Sequence, residues 1–327
     1  MKTEILRVLQ NNKSTYISGE ELSKKLNVSR TAIWKTINQL RSEGYEIDSS
    51  PHKGYQLVKQ TCDLNQSELE IALSPFDLIS NIVYLPVVDS TNRYAKQLGN
   101  ESGFEPSLII AERQTEGRGR LGREWYSEDK SGIWMSLLLK PDIQPTLAAR
   151  ITLMAAAAIS CAIDDVTGLE TQIKWPNDIV INGKKVCGIL TEMSAELNHI
   201  NYLILGIGIN VNQSQFDEDI MSKATSLYSI SNQRYNRLDI VVNFIEHFSY
   251  YYKRLIEQTD FSEVIQINRE KSATLNKEVD ILTIQQKRRV YAKDIDLDGN
   301  LIIINECDKE EAIYFGEVSV RGINGYI

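Results

Sequence analysis

The chain has 327 residues, enough for two or three domains, and its 42% hydrophobic and 24% charged residues give the balance of a soluble globular protein. No apolar run approaches the roughly 18–20 residues that span a bilayer, MKTEILRVLQNNK lacks the apolar core and cleavage site of a signal peptide, and four dispersed cysteines (Cys62, Cys161, Cys187, Cys307) without a CxxC pair argue against a disulfide framework or zinc site and for a reducing cytoplasm. The net charge of −8 is uneven: residues 1–60 hold ten Lys/Arg against six Asp/Glu, a net of +4, which leaves −12 elsewhere, so only the small head suits a polyanion.

Residues 3–11, 19–26 and 30–43 are expected as three short helices. Ser18 and Glu21 have capping-box spacing, Ser29 can cap the third helix, and Ile33, Ile37 and Leu40 form its apolar stripe. Gly44 ends it. Two alternating runs, Tyr45/Ile47 and Tyr55/Leu57, joined by Ser49-Ser50-Pro51-His52-Lys53-Gly54, predict a hairpin. Three helices and a hairpin make the winged helix–turn–helix plan. The third helix carries Arg30, Thr31, Trp34, Lys35 and Asn38 beside its stripe. An α-helix fits the major groove, where Arg, Lys and Asn donate to base edges or phosphates. Lys53 at the hairpin tip is placed to reach the backbone or minor groove. Two alternatives stay open: the same plan serves as a protein-interaction module, and Trp34 suits the core as well as the surface.

Residues 60–75 read as a connecting segment with a short helix. Beyond it, strands are expected at 82–88, 108–111, 133–139, 180–193 and 202–210, and helices at 91–99, 145–164 and 237–257. The run LILGIGIN is apolar on both faces, so its strand is expected to be buried on both sides. Strands and helices do not alternate regularly, which favours α+β over a doubly wound sheet. From about 276 onward, short strands with turns such as Asp298-Gly299-Asn300 predict a small β-barrel of roughly 50 residues. The domains are expected at 1–60, 61–270 and 271–327.

The densest chemical signal is Glu116-Gly117-Arg118-Gly119-Arg120-Leu121-Gly122-Arg123-Glu124-Trp125. Its glycines free the backbone to fold round a ligand, its arginines supply forked permanent charges for carboxylate or phosphate, and Trp125 offers a flat face for an adenine. A flexible basic surface loop is the plain alternative, and the acidity of the surrounding chain weighs against it. The run also matches GxGxxG. The dinucleotide fingerprint, however, needs a preceding strand, an immediate helix and an acidic residue about 20 positions on, and the next element here is a strand.

The second signal is Lys174-Trp175-Pro176-Asn177-Asp178, followed by Gly183-Lys184-Lys185-Val186-Cys187-Gly188-Ile189. A lysine can neutralise a carboxylate and then the charge that builds on a phosphate under attack, and Gly188 permits close approach. Taken alone, a charged turn between two strands is the simpler account of Lys184 and Lys185. Asp294-Ile295-Asp296-Leu297-Asp298-Gly299 opens like a calcium loop, but Asn305 stands where the bidentate Glu belongs and strands are expected on both sides.

In this order, the winged helix, Asp89-Ser90-Thr91-Asn92, Gln114, GRGRLGR, Trp125, KWPND, KVCGIL, GIGIN and Gly316-Glu317-Val318-Ser319-Val320-Arg321 resemble the bacterial bifunctional biotin–protein ligases and biotin-operon repressors over nearly the whole chain. GRGRxGR together with KWPND is the specific part. The resemblance implies a DNA-binding winged helix, a central mixed α/β ligase domain and a small C-terminal SH3-like β-barrel. It implies that Ser90, Thr91, Asn92 and Gln114 line a biotin pocket, that Arg118, Gly119 and Arg120 close over biotin and its adenylate, and that Lys185 contacts the biotin carboxylate and the α-phosphate. Lys185, Arg118 and Arg120 are then the expected catalytic residues, with Trp125, Asn210 and Arg321 on the nucleotide side. Asp294-Ile295-Asp296 departs from the family, which often has glycine before Ile-Asp, and this weakens carry-over in the barrel alone.

The implied activity uses biotin, ATP and Mg²⁺. It makes biotinyl-5′-AMP and transfers biotin to a lysine of the biotin carboxyl carrier domain of acetyl-CoA or pyruvate carboxylase. The implied regulation has biotinyl-5′-AMP favour a homodimer that binds operator DNA and represses biotin genes. Three rivals are a ligase for another carboxylic cofactor such as lipoate, a non-enzymatic biotin-sensing repressor, and a pure ligase with a vestigial winged helix. The arginine-rich loop argues against the first, and Lys185 with the arginines argues against the second.

Overall fold

The computed structural model describes residues 1–59, 64–127, 130–282, 287–315, 319–322 and 326; Cys62 and the Gly316-Glu317-Val318 part of the C-terminal motif lie outside the described residues. Two compact units emerge, Met1–Pro75 and Phe76–Ile327.

Capping sets the helix ends of the first unit. α1 (Lys2–Asn11) is followed by α2 (Gly19–Leu26), whose N-cap Ser18 accepts from the Glu21 amide at 3.0 Å, and by α3 (Arg30–Ser42), whose N-cap Ser29 accepts from the Ala32 amide at 3.2 Å. Gly44, at φ 94°, turns the chain out of α3. β1 (Glu46–Ser50) and β2 (Gly54–Lys59) pair antiparallel as the expected wing. Ile33, Ile37 and Leu40 are fully buried with Ile5, Leu6 and Leu22. The expected connector proves to be part of this unit. In it, α4 (Gln66–Leu73) is capped by Asn65, which accepts from the Glu68 amide at 3.1 Å. Thr3 and Gln10 of α1 donate to Glu70 and Glu68 at 2.6 and 2.9 Å, and Leu69 and Leu73 are buried.

The second unit is built on a seven-stranded mixed sheet. β3 (Asn81–Leu85) runs parallel to β4 (Ser107–Ala111). The antiparallel strands β5 (Ile133–Leu139), β6 (Gln172–Lys174), β7 (Asp178–Ile181), β8 (Lys184–Glu196) and β9 (His199–Ile209) complete the order β3-β4-β5-β9-β8-β7-β6. β9 is buried continuously from Leu203 to Ile209, as its two-sided apolar pattern requires. The single strand expected at 180–193 is corrected to a hairpin. Asn182 and Gly183, at φ 51° and 73°, make the two-residue turn between Ile181 and Lys184. Two positive φ angles in succession are the signature of a type I′ turn, which favours Asn-Gly. Lys184 and Lys185 therefore open β8 and are not the turn itself.

Helices cover both faces of the sheet. α5 (Thr91–Gly99) packs on β4, β5 and β9, with Ala95, Ile109, Leu138 and Ile204 in one cluster. α6 (Ala148–Thr167) packs on the other face, where Thr152 and Thr191 of β8 share a 2.6 Å hydrogen bond. Side chains alternate along a strand, so Glu192, next to Thr191, faces the side of α5. The stretch Pro145–Thr167 is long and apolar enough to cross a membrane by length and composition, which corrects the expectation that no run approaches that length. Its apolarity has a different cause, since Ile151 through Ser160 are all buried in this core. α7 (Glu218–Met221), α8 (Leu227–Ser231), α9 (Arg237–Gln258) and α10 (Ser262–Glu270) follow, with α9 and α10 against α6.

The C-terminal strands β10 (Lys277–Leu282), β11 (Lys287–Ile295), β12 (Leu301–Ile304), β13 (Glu310–Ile313) and β14 (Ser319–Gly322) form an antiparallel sheet in the order β13-β12-β11-β10-β14. No pairing joins β13 to β14 among the described residues, so the finding is a five-stranded sheet and not a demonstrated SH3-like barrel. The Asp294–Gly299 run is the end of β11 and the turn into β12: Asp296 Oδ1 accepts from the amides of Asp298 and Asn300 at 2.9 and 2.8 Å. That turn docks on α6 and on the connection between β6 and β7, since the Gly299 carbonyl accepts from Trp175 Nε1 at 3.0 Å and a Cβ at Gly299 would lie 2.2 Å from Leu153.

Candidate functional site

Every ligand residue expected from the sequence lines one cavity of about 550 Å³: Ser90, Thr91, Asn92, Gln114, Arg118, Gly119, Arg120, Trp125, Lys185, Asn210 and Arg321. The floor is polar and tightly bonded. Ser90 stands just before α5, and the Thr91 amide at the helix start donates to Gln114 Oε1 at 2.8 Å. Gln114 Nε2 donates to Ser127 Oγ at 3.1 Å, and Ser127 to the Trp125 carbonyl at 3.2 Å. Asn92 Nδ2 donates to Glu192 Oε2 at 2.7 Å while its Oδ1 accepts from Ser136 Oγ at 2.6 Å. Ser136 and Glu192 were not expected. Their only trace in the sequence is a polar residue inside the apolar runs WMSLLL and GILTEM.

The arginine loop is a tight hairpin. The Trp125 amide donates to the Gly117 carbonyl at 2.9 Å and the Gly119 amide to the Arg123 carbonyl at 2.7 Å, with Leu121 (φ 59°) and Gly122 (φ 71°) at the tip. Gly117 is the glycine that packing demands, because a Cβ there would lie 2.2 Å from the Trp125 carbonyl oxygen. Gly119 is extended at φ −119° and a Cβ would meet nothing closer than 3.4 Å, so this conformation does not itself demand glycine there. Trp125 rests on Gly188 and Gly208, cross-strand partners in β8 and β9, where Cβ atoms would lie 2.8 and 2.4 Å from its ring. Its buried Nε1 has no hydrogen-bond partner among the described residues, and Lys185 Nζ lies 5.0 Å from the ring centroid.

Cations gather on the remaining walls. Lys185 Nζ is 2.5 Å from Asp178 Oδ1, and the Tyr326 hydroxyl donates to Asp178 Oδ2 at 2.5 Å. Burial pushes the Asp178 carboxyl up, but the Lys185 ammonium and the Tyr326 hydroxyl outweigh it and hold the group below the usual carboxylate range. Lys174 donates to the Tyr326 carbonyl at 2.8 Å, and burial pulls its ammonium down to about 7 against the opposing pull of Asp178. Arg120 donates to Asn177 Oδ1 at 2.7 Å and lies 5.3 Å over Phe315. Asn210 is buried and donates to the Thr225 carbonyl at 3.1 Å, Arg321 stacks 5.9 Å from Tyr326, and Arg118 is exposed at the rim. Asp178 is part of the KWPND motif, which assigned it no role, and Tyr326 was not expected; the bond between them joins segments far apart in the chain.

In the first unit, Arg30, Thr31, Trp34 and Lys35 are exposed along α3 and Asn38 is half-buried, accepting from Arg41 at 3.3 Å. Trp34 is 56% exposed, which removes the core reading. Lys53 projects from the wing, 5.7 Å over the Tyr16 ring.

Residues 84–210 match the biotin/lipoate A/B protein ligase family, and residues 2–56 match an HTH domain. A Bacillus subtilis protein named bifunctional ligase/repressor BirA is 39% identical over 255 residues, 77% of this chain and 78% of its own. A Paracoccus denitrificans protein named biotin–[acetyl-CoA-carboxylase] ligase is 37% identical over 126 residues, 38% of this chain and 51% of its own. Among solved structures, the biotin protein ligase from Aquifex aeolicus in complex with biotin and ATP is similar with a TM-score of 0.66 and 32% identity, over 74% of this chain and 99% of that one. The chain therefore belongs to the biotin/lipoate A/B protein ligase family, among its bifunctional ligase/repressors with an N-terminal helix–turn–helix domain.

Proposed function

We propose that the chain is an ATP-dependent, AMP-forming biotin–[acetyl-CoA-carboxylase] ligase that also represses biotin genes from the cytoplasm. One observation carries this reading: a small polar floor, an ion-paired lysine, a ring of arginines and a stacking tryptophan converge in one cavity. Ser90, Thr91, Asn92 and Gln114 supply hydrogen bonds suited to the ureido ring of biotin. Lys185 neutralises the biotin carboxylate, then the charge that grows on the α-phosphate as a carboxylate oxygen bonds to phosphorus and pyrophosphate leaves. Arg118, Gly119 and Arg120 cover the mixed anhydride and exclude water, and Trp125, Asn210 and Arg321 hold the nucleotide. The neutral ε-amine of an acceptor lysine then attacks the anhydride carbonyl, releases AMP and loses its proton.

Asp217 and Asp219 on the cavity wall fit a Mg²⁺ that arrives on the phosphates, since this ion is usually held by one or two carboxylates plus substrate oxygens. When bound, it supplies charge neutralisation on the triphosphate. A thermal-shift titration tests the reading: biotin, and not lipoate, is expected to stabilise the protein, and the reverse preference would overturn it.

The repressor half uses the exposed face of α3. Two heads in a homodimer favoured by biotinyl-5′-AMP would meet two half-sites. Linkage then requires adenylate and operator to strengthen each other's binding, typically by about 1–3 kcal/mol.

A further inference from the structure

Among the buried amides that line the cavity, Gln114 and Asn92 stand together on its floor, and an amide presents a donor or an acceptor according to how it is turned. Gln114 is fixed by the backbone, because the Thr91 amide occupies its Oε1 and leaves Nε2 for Ser127. Asn92 is fixed chiefly by side chains, its Nδ2 also reaching the Leu190 carbonyl at a long 3.5 Å. Its Nδ2 meets the Glu192 carboxylate, which only accepts, at 2.7 Å, and its Oδ1 meets Ser136 Oγ at 2.6 Å. Turning the amide over would set oxygen against carboxylate. The sheet makes room for this arrangement: Gly206 is the cross-strand partner of Ser136, and a Cβ there would lie 2.1 Å from Asn92 Oδ1. Thr91 Oγ1 lies 2.7 Å from Ser136 Oγ and 3.1 Å from Gln114 Oε1; with the Ser136 proton given to Asn92 Oδ1, the one Thr91 proton serves either neighbour, so the two amides meet in one polar cluster. A cyclic urea carries two N–H donors and one carbonyl acceptor, and a floor of fixed polarity discriminates it from a ring without them.

We propose that Glu192, acting through Asn92 together with Ser136, is a positioning residue that sets the donor and acceptor pattern of the cavity floor and so its selectivity for a cyclic urea. This rests on the biotin-ligase reading. The test is steady-state adenylate formation by the full chain, read as pyrophosphate release, with thermal midpoints alongside. In Glu192→Gln the replacement both donates and accepts, so the Asn92 amide is no longer fixed; the KM for biotin is expected to rise roughly tenfold while kcat, the KM for ATP and the thermal midpoint stay unchanged. Asn92→Asp sets two carboxylates in contact and raises the KM for biotin further. Combining the two substitutions restores a donor–acceptor contact within the pair but leaves residue 92 with acceptors alone on the cavity floor, so the thermal midpoint is expected to hold while the raised KM for biotin persists, a split that a merely structural role would not produce. Ser136→Ala gives an independent reading through the other end of the amide, with the KM for biotin again the parameter that moves. An unchanged KM for biotin in Glu192→Gln, a parallel rise in the KM for ATP, or a wild-type KM for biotin in the double variant overturns the proposal. A wild-type protein that adenylates lipoate and not biotin overturns the ligase reading itself, before any variant is compared.

Discussion

At the scale of single residues, the site is organised by what each charge is paired with. Lys185 is held by Asp178 at 2.5 Å, so a cation stands on the cavity wall in a fixed place. Lys185→Ala is expected to slow biotinyl-5′-AMP formation by roughly 10²–10³, the usual cost of losing one good oxyanion contact. Single-turnover adenylation measures it, and a near wild-type rate would remove Lys185 from the chemistry. Lys174 makes a prediction about stability. Its ammonium is pulled down to about 7 by burial, while in an unfolded chain it titrates near about 10.4. Between those values the unfolded state binds the proton and the folded state does not, so stability rises with pH across that window; below it both states are charged and the group contributes no slope. Urea unfolding of wild type and Lys174→Met should therefore diverge in favour of the wild type as pH is raised from neutrality. A stability difference independent of pH contradicts the assignment.

At the scale of elements, the head was legible because its signals are local. Ser18, Ser29 and the Ile33, Ile37, Leu40 stripe fix α2 and α3 without reference to anything distant. The β7–β8 hairpin was blurred because its apolar strands flank a two-residue turn, although Asn182-Gly183 was the signal that marks it. The ligand residues were legible as motifs, whereas Glu192 and Ser136 were not, because what makes them matter is a pair of contacts across a sheet whose register no short motif encodes. The loop shows the same division. Three glycines announce it, but only the fold reveals that Gly117 is pressed against the Trp125 carbonyl while Gly119 is not. Gly117→Ala is accordingly expected to displace Trp125 and speed the release of biotinyl-5′-AMP more than Gly119→Ala does. Stopped-flow dissociation measures both, and equal rates would show that the hairpin base does not govern the lid.

At the scale of the whole molecule, the chain divides after Pro75 into two compact units; Asp63, Glu68 and Glu70 belong to the first and bring its net charge from the +4 of residues 1–60 to +1. Deleting residues 1–75 is expected to abolish operator binding and to leave a folded chain that still makes biotinyl-5′-AMP, as gel shift and pyrophosphate release would show. A cut at residue 62 instead strips α4 from α1, exposes Leu69 and Leu73, and should give a less soluble product. A folded 76–327 chain without adenylation would contradict the placing of the site in the second unit. The central claim is tested most directly by incubating the full chain with biotin, MgATP and a biotin carboxyl carrier domain and weighing the carrier by mass spectrometry. The carrier is expected to gain the mass of one biotinyl group on its acceptor lysine, and only when ATP is present. A carrier that stays unmodified with biotin but is acylated when lipoate replaces it would show that the cavity serves a different carboxylic cofactor.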